Sequence, residues 1–321
     1  MTIPTITDFS PASLKRIGKT PILRFPGEAG EIFSKCENYN PTGSHKDRAY
    51  LHMIENMAKA GKVREGDVLV DYTTGNGGVS LAFVARCMGF ESIAVMPEGI
   101  TVEREEQIRG LGAELILTPR EQYVKGARET AEKIVKNNPE THRLINQSDN
   151  LDNSMAFEEA GREISGYFKS VDRTIGAFVC GIGTGGTFSG IAKVLKDDWP
   201  DIITVGVEVV DSAPIFAKRK GIPFRHNDHR LVGFGAGAIA MNTAQGLIDH
   251  VETVSYEESL KEAMNIAVRD CHLVGPSSGA NMLMAKKWRK ILKGGTDVVT
   301  VFFDAGYKYG NIYRTTWESS R

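Results

Sequence analysis

Short β-branched runs alternate with longer segments of helical period along most of this chain. The runs that predict strands are Val68–Tyr72, Ser92–Met96, Glu114–Leu117, Gly176–Cys180, Ile203–Val210 and Val298–Phe303. The segments that predict helices are Lys46–Ala60, Gly78–Met88, Thr101–Leu111, Glu121–Lys136, Met155–Tyr167, Thr187–Leu195, Tyr256–Arg269 and Ala280–Leu292. Strands that alternate with helices favour parallel sheets covered by helices, so the expected fold class is α/β.

The length of the chain and two irregular stretches bear on its domain organisation. A chain of 321 residues is long enough for two α/β domains. The stretch Asn146–Ser154 is rich in Asn, Asp and Ser and is a candidate domain junction. A second stretch, Ser212–Asp228, interrupts the alternation and predicts a surface excursion near the functional site.

Composition and charge narrow the possible partners. Hydrophobic residues make up 41% of the chain and charged residues 25%, which is typical of a soluble globular protein. The formal net charge of −1 gives no reason to expect nucleic acid or a membrane surface as a partner. No apolar run approaches the roughly 20 residues of a membrane-spanning helix. The first eight residues lack a basic region followed by an apolar stretch, so we expect no signal peptide and a cytoplasmic location.

The cysteines and one histidine pair give no metal signature. Cys36, Cys87, Cys180 and Cys271 are far apart and form no C-x-x-C pair, so we expect free buried thiols. His226 and His229 lie three residues apart in a polar stretch, without a third His or a Cys nearby. A solvated loop is the better interpretation of this pair, and we predict no metal site.

Four polar segments fall at helix starts, which is where parallel α/β sheets bind ligands. The first, Asn40–Arg48, leads from turn-forming residues into a helix and puts Lys46 near the helix N-terminus. The helix dipole disfavours a cation there, so a neutral amine or imine suits Lys46 better. Lysines that lose their charge on desolvation serve as Schiff-base formers. The alternative is a surface lysine paired with Asp47 or another acid.

The second segment, Thr73–Gly78, follows the predicted strand Val68–Tyr72 and reads Thr-Thr-Gly-Asn-Gly-Gly. Its backbone N–H groups and two hydroxyls suit a small anion such as a carboxylate. The alternative is a capped helix whose glycines serve only the turn.

The third segment, Gly181–Thr187, follows the predicted strand Gly176–Cys180 and reads Gly-Ile-Gly-Thr-Gly-Gly-Thr. Its glycines let the backbone approach an anion closely and its threonines add hydroxyl donors, so a phosphate group is the expected ligand.

The fourth segment, Gly275–Ala280, contains two adjacent serines before a predicted helix. The serines can cap the helix or bind a ligand, and the segment alone favours capping.

A dinucleotide site is a rival interpretation of the third segment. Gly181, Gly183 and Gly186 satisfy G-x-G-x-x-G, and Glu208 lies near the end of the next strand, where an acid would hold a nucleotide ribose. An NAD-dependent dehydrogenase is therefore a live hypothesis, although it leaves Lys46 and the Thr73–Gly78 segment without a role. A non-catalytic binding protein would explain the anion-binding segments but not Lys46.

Taken together, the four segments resemble the fold-type II pyridoxal 5'-phosphate (PLP) enzymes, and most closely the cysteine synthase and cystathionine β-synthase branch. Asn40–Arg48 resembles the family's lysine motif, Thr73–Gly78 its T-S-G-N-T-G, and 304–309 its C-terminal D-S-G-x-R-Y. The resemblance starts at Gly18–Pro21 and spans nearly the whole chain. It implies two open, twisted, mostly parallel sheets flanked by helices, as in the tryptophan synthase β fold.

The resemblance also implies roles for individual residues. Lys46 would hold PLP as an imine, Asn76 would hydrogen-bond its phenolic oxygen, and Ser277 would meet its pyridine nitrogen. The phosphate cup would consist of Gly183, Thr184, Gly185, Gly186 and Thr187. The substrate carboxylate would be held by Thr73, Thr74, Gly75, Gly77 and Gln147.

Three positions depart from the family's pattern. His45 stands where valine is usual, and Gly77 stands where threonine is usual. The segment 232–240 resembles G-I-G-A-G-F-I-P but lacks the final Phe-Ile-Pro. We expect Gly77 to remove a donor and to open space beside the substrate carboxylate.

The implied reaction is β-replacement on O-acetylserine or a similar activated serine, with sulfide or a thiol as nucleophile. The alternative within the family is β-elimination or exchange, as in a cysteine desulfhydrase or a serine/threonine dehydratase. The resemblance further implies a homodimer. It also implies a smaller mobile domain of residues 41–152 that binds the substrate carboxylate, and a larger domain of residues 1–40 plus 153–321 that binds the cofactor phosphate.

Overall fold

The computed structural model describes residues 11–27, 30–235, 237–292 and 295–319. The first ten residues, on which the expectation of no signal peptide depends, lie outside the described residues. Ala236, in the segment that departs from the family's G-I-G-A-G-F-I-P, also lies outside them.

The described residues form ten strands and eleven α-helices. The strands are β1 Ile22–Gly27, β2 Gly30–Cys36, β3 Val68–Tyr72, β4 Glu91–Pro97, β5 Glu114–Thr118, β6 His142–Leu144, β7 Ile175–Gly181, β8 Ile203–Val209, β9 His250–Val254 and β10 Asp297–Phe302. The α-helices are α1 Lys46–Lys59, α2 Asn76–Cys87, α3 Val102–Gly110, α4 Tyr123–Asn137, α5 Asp152–Met155, α6 Glu158–Ser170, α7 Gly186–Asp198, α8 Pro214–Lys220, α9 Tyr256–Asp270, α10 Pro276–Ile291 and α11 Gly310–Ser319. Short 3-10 helices span Pro11–Arg16, Glu37–Tyr39, Arg120–Gln122, Gln245–Leu247 and Gly306–Tyr309.

The strands form two sheets, which confirms the expected fold class. The larger sheet has the order β1-β2-β10-β7-β8-β9, and the smaller has the order β5-β4-β3-β6. Only the β1–β2 pair is antiparallel among the described pairs, and all the others are parallel. Parallel strands covered on both faces read as continuous apolar runs, and every residue of β10 is buried accordingly.

Several helices begin earlier than the sequence pattern predicts. Helix α2 begins at Asn76 and α10 at Pro276, so Ser277 lies in the first turn of α10 and not in a loop before it. Proline suits this position because the first helical N–H has no intrahelical partner. The helix predicted at Met155–Tyr167 corresponds to α6, and Met155 is the last residue of the separate short helix α5. The predicted excursion Ser212–Asp228 contains α8, which ends at the left-handed Gly221.

The hydrophobic core lies mainly between the larger sheet and its helices. Phe178, Phe188, Ile191 and Val299 are fully buried members of its largest cluster. Two smaller clusters cover the faces of the smaller sheet. Within the described ranges, no helix combines the length and the apolar character needed to cross a membrane.

Candidate active site

A cavity at the carboxyl ends of strands from both sheets brings the four polar segments together. The predicted residues that line it are Lys46, Thr73, Thr74, Asn76, Gly77, Gln147, Gly183, Thr184, Gly185, Thr187 and Ser277. Two predicted residues, Gly75 and Gly186, do not line it. Further lining comes from residues that the sequence did not single out as site residues, among them Tyr72, Tyr123, Ser148, Phe234 and Phe303.

Lys46 is the first residue of α1 and points into this cavity. Its Nζ donates to Gln147 Oε1 at 2.9 Å and lies 3.5 Å from Thr184 Oγ1. Burial lowers the pKa of Lys46 to about 8, and the charge of Asp71 acts in the opposite direction. The prediction of a desolvated lysine at a helix N-terminus agrees with this environment, in which the neutral amine is accessible near physiological pH.

In the glycine loop, Gly181–Thr187, the glycines are packed so closely against their neighbours that no side chain would fit at their positions. A Cβ at Gly183 would lie 2.0 Å from the carbonyl oxygen of Gly233. Gly185 has a φ of +82°, and a Cβ there would lie 2.2 Å from Thr243 Oγ1. That Thr243 hydroxyl is buried and has no hydrogen-bond partner among the described residues. A Cβ at Gly186 would meet Asn153 Oδ1 at 2.4 Å, so this glycine serves packing outside the cavity.

The end of α7 that faces the cavity carries no side-chain cap. The first N–H groups of a helix need partners from outside the helix, and a phosphate is a natural one. Thr184 and Thr187 add hydroxyl donors at the same place. The donors and the space here therefore fit the phosphate of PLP.

His45 is joined to the glycine loop by a hydrogen bond between its Nδ1 and Thr187 Oγ1 of 2.8 Å. Its ring packs 4.7 Å from the ring of Phe303 and 5.8 Å from that of Phe157. Burial, and secondarily the charge of Lys46, lowers the pKa of His45 well below its ordinary value. The imidazole is therefore neutral, and its hydrogen bond fixes the orientation of the Thr187 hydroxyl at the end of the glycine loop.

The expectation that Gly77 opens space beside the Thr73–Gly78 loop is wrong. A Cβ at Gly77 would lie 2.7 Å from Thr73 Oγ1, 2.8 Å from Gln147 Nε2 and 2.9 Å from the hydroxyl of Tyr50. These polar groups already fill the space that a side chain would take. Nearby, Gly75 has a φ of +136°, and a Cβ there would lie 2.1 Å from Arg104 Cδ. Both glycines therefore permit close approach of neighbouring side chains.

The buried carboxylate of Asp71 holds the segment that contains Asn146 and Gln147 through backbone hydrogen bonds. Its Oδ2 accepts from the hydroxyl of Tyr50 at 2.7 Å and from the backbone N–H of Gln147 at 3.3 Å. Its Oδ1 accepts from the backbone N–H of Asn146 at 3.2 Å. Burial raises the pKa of Asp71 to about 6, and these hydrogen bonds act in the opposite direction. Asp71 was not predicted as a site residue, and the signal for it in the sequence is an acid inside an otherwise apolar strand.

A second buried carboxylate, Asp304, connects two predicted cofactor residues. Its Oδ2 accepts from Asn76 Nδ2 at 2.6 Å and from Tyr309 at 2.7 Å. Its Oδ1 lies 3.5 Å from Ser277 Oγ. Arg104, which is fully buried, completes the group with an ion pair to Asp304 at 3.1 Å. Asp304 thereby links α2, which packs on the smaller sheet, to α10, which packs on the larger sheet.

Glu208, the acid that the dinucleotide interpretation assigned to a nucleotide ribose, has a different role in the structure. Glu208 is buried, and its carboxylate accepts from the backbone N–H groups of Ile215 at 3.2 Å and Phe216 at 2.8 Å. Both bonds hold the start of α8, so Glu208 acts as an anchor for a helix.

The two histidines form hydrogen bonds to nearby residues, and the cysteines form no disulfides. His226 Nδ1 bonds Ser212 Oγ at 2.9 Å, and His229 Nε2 bonds the carbonyl of Gly235 at 3.0 Å. No cluster of three or more metal-ligating side chains occurs among the described residues. All four cysteines are free, but the expectation that all are buried is wrong, because Cys271 is exposed.

Comparison with known proteins identifies the family. Residues 14–304 match the family model described as "Pyridoxal-phosphate dependent enzyme". The chain belongs to this family. PLP is therefore its cofactor, which confirms the predicted cofactor and decides against the NAD-dependent alternative.

The relatives place the chain in the cysteine synthase branch, as predicted. It is 35% identical to a cysteine synthase of Staphylococcus aureus over 310 residues, which is 91% of this chain and 93% of the relative. A hydrogen sulfide-producing enzyme from Fusobacterium nucleatum has a TM-score of 0.85 at 30% identity and covers 94% of this chain and 99% of its own. An O-acetylserine dependent cystathionine β-synthase from Helicobacter pylori has a TM-score of 0.84 at 32% identity, with coverage of 96% and 97%.

Proposed function

We propose that this protein catalyses PLP-dependent β-replacement on an activated serine, O-acetylserine or a similar ester, with sulfide or a thiol as nucleophile. The observation that carries the proposal is the partly buried Lys46 amine, which contacts both Thr184 of the glycine loop and Gln147 in one cavity. The cysteine synthase relatives support the same reaction. The bound cofactor would supply the electron sink for a carbanion at the substrate Cα.

The residues of the cavity divide by the part of the cofactor that they would hold. Lys46 would bond the cofactor covalently and, once released, would take the proton from Cα. Thr184, Gly185 and Thr187, with Gly183, would hold the phosphate, and Gly186 would let the start of α7 pack against Asn153. Asn76 would donate to the phenolic oxygen and Ser277 would meet the pyridine nitrogen, both kept in place by Asp304.

The substrate carboxylate would bind at the Thr73–Gly78 loop. Thr73 and Thr74 offer hydroxyls and Gly77 contributes backbone, while Gly75 lies behind them against Arg104. The side chain of Gln147 now bonds Lys46 Nζ and the carbonyl of Tyr72, and its amide could turn to the carboxylate when Lys46 moves.

We further propose the domain organisation and assembly that the family resemblance implies. Residues 41–152 would form the smaller mobile domain, which contains the whole smaller sheet, and residues 1–40 plus 153–321 the larger one. The protein would act as a cytoplasmic homodimer.

The deciding experiment supplies the purified, PLP-loaded protein with O-acetylserine, O-phosphoserine, cysteine or serine, each with and without sulfide. We expect cysteine and acetate in equal amounts from O-acetylserine plus sulfide, measured by mass spectrometry. Absence of cysteine from every activated serine would contradict the proposal.

A second candidate, β-elimination that releases sulfide from cysteine, is favoured by the likeness to the Fusobacterium enzyme. Within the same panel, sulfide released from cysteine alone, faster than cysteine forms from O-acetylserine, would favour elimination over replacement.

A further inference from the structure

Tyr123 forms part of the wall between the candidate active site and a second cavity beside it. The second cavity has a volume of about 580 Å³ and is bounded by the turns after β4 and β5, by residues 228–232, and by α9 and α11. Of the described residues, Tyr123 and Val232 are the two that line both cavities. They therefore lie on the boundary between them, and the size of residue 123 sets how much room the candidate active site has on this side.

The backbone of Tyr123 has a conformation that a tyrosine rarely adopts. Its φ is +43° and its ψ is −140°, at the junction between the 3-10 helix Arg120–Gln122 and α4. A bulky residue is strained at a positive φ, whereas glycine, which has no Cβ, is not. Strain of this kind persists only where the surroundings hold the residue in place, and it is concentrated at functional sites. We therefore looked for contacts that hold the tyrosine ring.

His226 and His229 supply these contacts. The Tyr123 ring stacks on the His226 ring with 5.6 Å between centroids and 28° between planes, and it meets the His229 ring at 6.1 Å and 74°. His226 is held by its hydrogen bond to Ser212, and His229 by its hydrogen bond to the carbonyl of Gly235. Tyr123 belongs to the proposed smaller domain and both histidines to the proposed larger one, so the three rings form a wall that spans the two.

The Tyr123 hydroxyl takes no part in this wall. None of the residues that the structure describes forms a hydrogen bond with it. Burial, and secondarily the charge of Asp228, raises the pKa of Tyr123 to about 12, so the side chain is neutral. The ring therefore makes the contacts, and a phenylalanine at this position would keep them.

We propose that Tyr123 is a specificity-determining residue of the candidate active site, whose ring, held against His226 and His229, limits the size of the nucleophile. The proposal rests on the proposed function, in which the nucleophile is sulfide or a thiol. Sulfide needs little room beside the substrate, whereas a thiol with a large substituent needs the volume that the Tyr123 ring occupies. The strained backbone is retained because the ring is needed at this position.

The test compares sulfide with two neutral thiols of different size, 2-mercaptoethanol and benzyl mercaptan, in the reaction of the PLP-loaded enzyme with O-acetylserine. Tyr123→Ala and Tyr123→Gly remove the ring, and Tyr123→Phe keeps it. One methylene in a pocket changes specificity by about 10–200-fold, so both ring-deleted variants should raise kcat/KM for benzyl mercaptan, relative to sulfide, by about tenfold or more. Tyr123→Phe should keep the wild-type ratio.

A matched control removes another tyrosine that stacks on a histidine. Tyr39 is exposed, lines neither cavity, and stacks on His272 with 5.8 Å between ring centroids and 23° between planes. Tyr39→Ala should therefore leave the ratio of benzyl mercaptan to sulfide unchanged.

The two ring-deleted variants also test the strain. Alanine ordinarily makes a protein more stable than glycine does at a loop position, because it restricts the unfolded chain. At position 123 this order should be reversed, and Tyr123→Gly should have the higher Tm, since both variants lack the ring and only glycine relieves the backbone.

The outcomes separate this proposal from the proposed function. If the wild type uses benzyl mercaptan as well as it uses sulfide, or if neither ring-deleted variant raises the ratio, the ring does not limit the nucleophile and this proposal fails alone. It also fails if Tyr39→Ala raises the ratio as much, or if Tyr123→Ala has a higher Tm than Tyr123→Gly. If the wild type forms no product with sulfide or with either thiol, the proposed function itself fails.

Discussion

Replacing His45 with valine, the residue usual in the family, should weaken the binding of PLP through its phosphate group. The substitution removes the 2.8 Å hydrogen bond to Thr187 Oγ1 and leaves that hydroxyl free to turn away from the glycine loop. A hydrogen bond of this kind contributes about 0.5–1.5 kcal/mol net, which corresponds to a dissociation constant raised by about twofold to tenfold. Thr187 itself remains in place, so the loss should be partial.

The assay titrates the apoprotein with PLP and, as a matched control, with pyridoxal, which has the same ring and aldehyde but no phosphate. The absorbance of the lysine-linked cofactor reports both dissociation constants. We expect His45→Val to weaken PLP binding and to leave pyridoxal binding unchanged. Adding His45→Val to Thr187→Val should have little further effect, because the two residues act through one contact.

Equal weakening for PLP and pyridoxal would refute this reasoning. It would mean that His45 acts on the neighbouring Lys46 amine and not on the phosphate. An unchanged affinity for both ligands would mean that the bond to Thr187 contributes nothing to binding.

Four other predictions concern Lys46, Asp71 and two glycines. The rate at which PLP attaches to the apoprotein should rise with pH, with a midpoint near pH 8 and a plateau above it. Burial lowers the pKa of Lys46 to about 8, and the neutral amine is the nucleophile. Asp71→Asn removes a charge that raises this pKa, so stopped-flow absorbance should show a lower midpoint; an unchanged midpoint would mean that Asp71 remains protonated or is screened. Gly183→Ala should abolish PLP retention in equilibrium dialysis, because its Cβ would lie 2.0 Å from a backbone carbonyl oxygen. The control variant Gly166→Ala, which has open space around its Cβ, should retain PLP. Retention by both variants would show that the glycine loop can shift. Gly77→Thr should lower both Tm and the affinity for the amino-acid substrate, since three polar groups lie within 2.9 Å of its Cβ; a stable variant with tighter substrate binding would restore the view that this position is open.

The sequence predicted the elements whose local pattern is strong. Strand β3 was predicted with its observed bounds, Val68–Tyr72, because it is a short β-branched run between turn formers. Strands β1 and β2 were missed because charged residues such as Arg24, Glu31 and Lys35 interrupt their apolar pattern. One of those charges has a partner distant in sequence: Lys35 forms an ion pair with Glu163. A contact of this range leaves no local signal.

The same distinction applies to the site. The glycine loop could be predicted because close backbone packing requires glycine in the sequence itself. Asp71 and Asp304 could not, because their importance comes from burial and from partners up to 228 residues away. Thr73 and Gln147 meet in one cavity because β3 and β6 are neighbours in the smaller sheet, and the pattern along the chain does not specify that order.

The position of β2 has a consequence for how this protein forms its sheets during synthesis. β2 pairs with β1 on one side and with β10 on the other, so the larger sheet joins Ile32 to Val298 near the two ends of the chain. The smaller sheet uses only strands between Val68 and Leu144. Since local pairings close with less loss of chain entropy, the smaller sheet can fold while the chain is still emerging from the ribosome. The larger sheet must wait for β10, and until then β2 presents an open edge to which a chaperone or another nascent chain can bind.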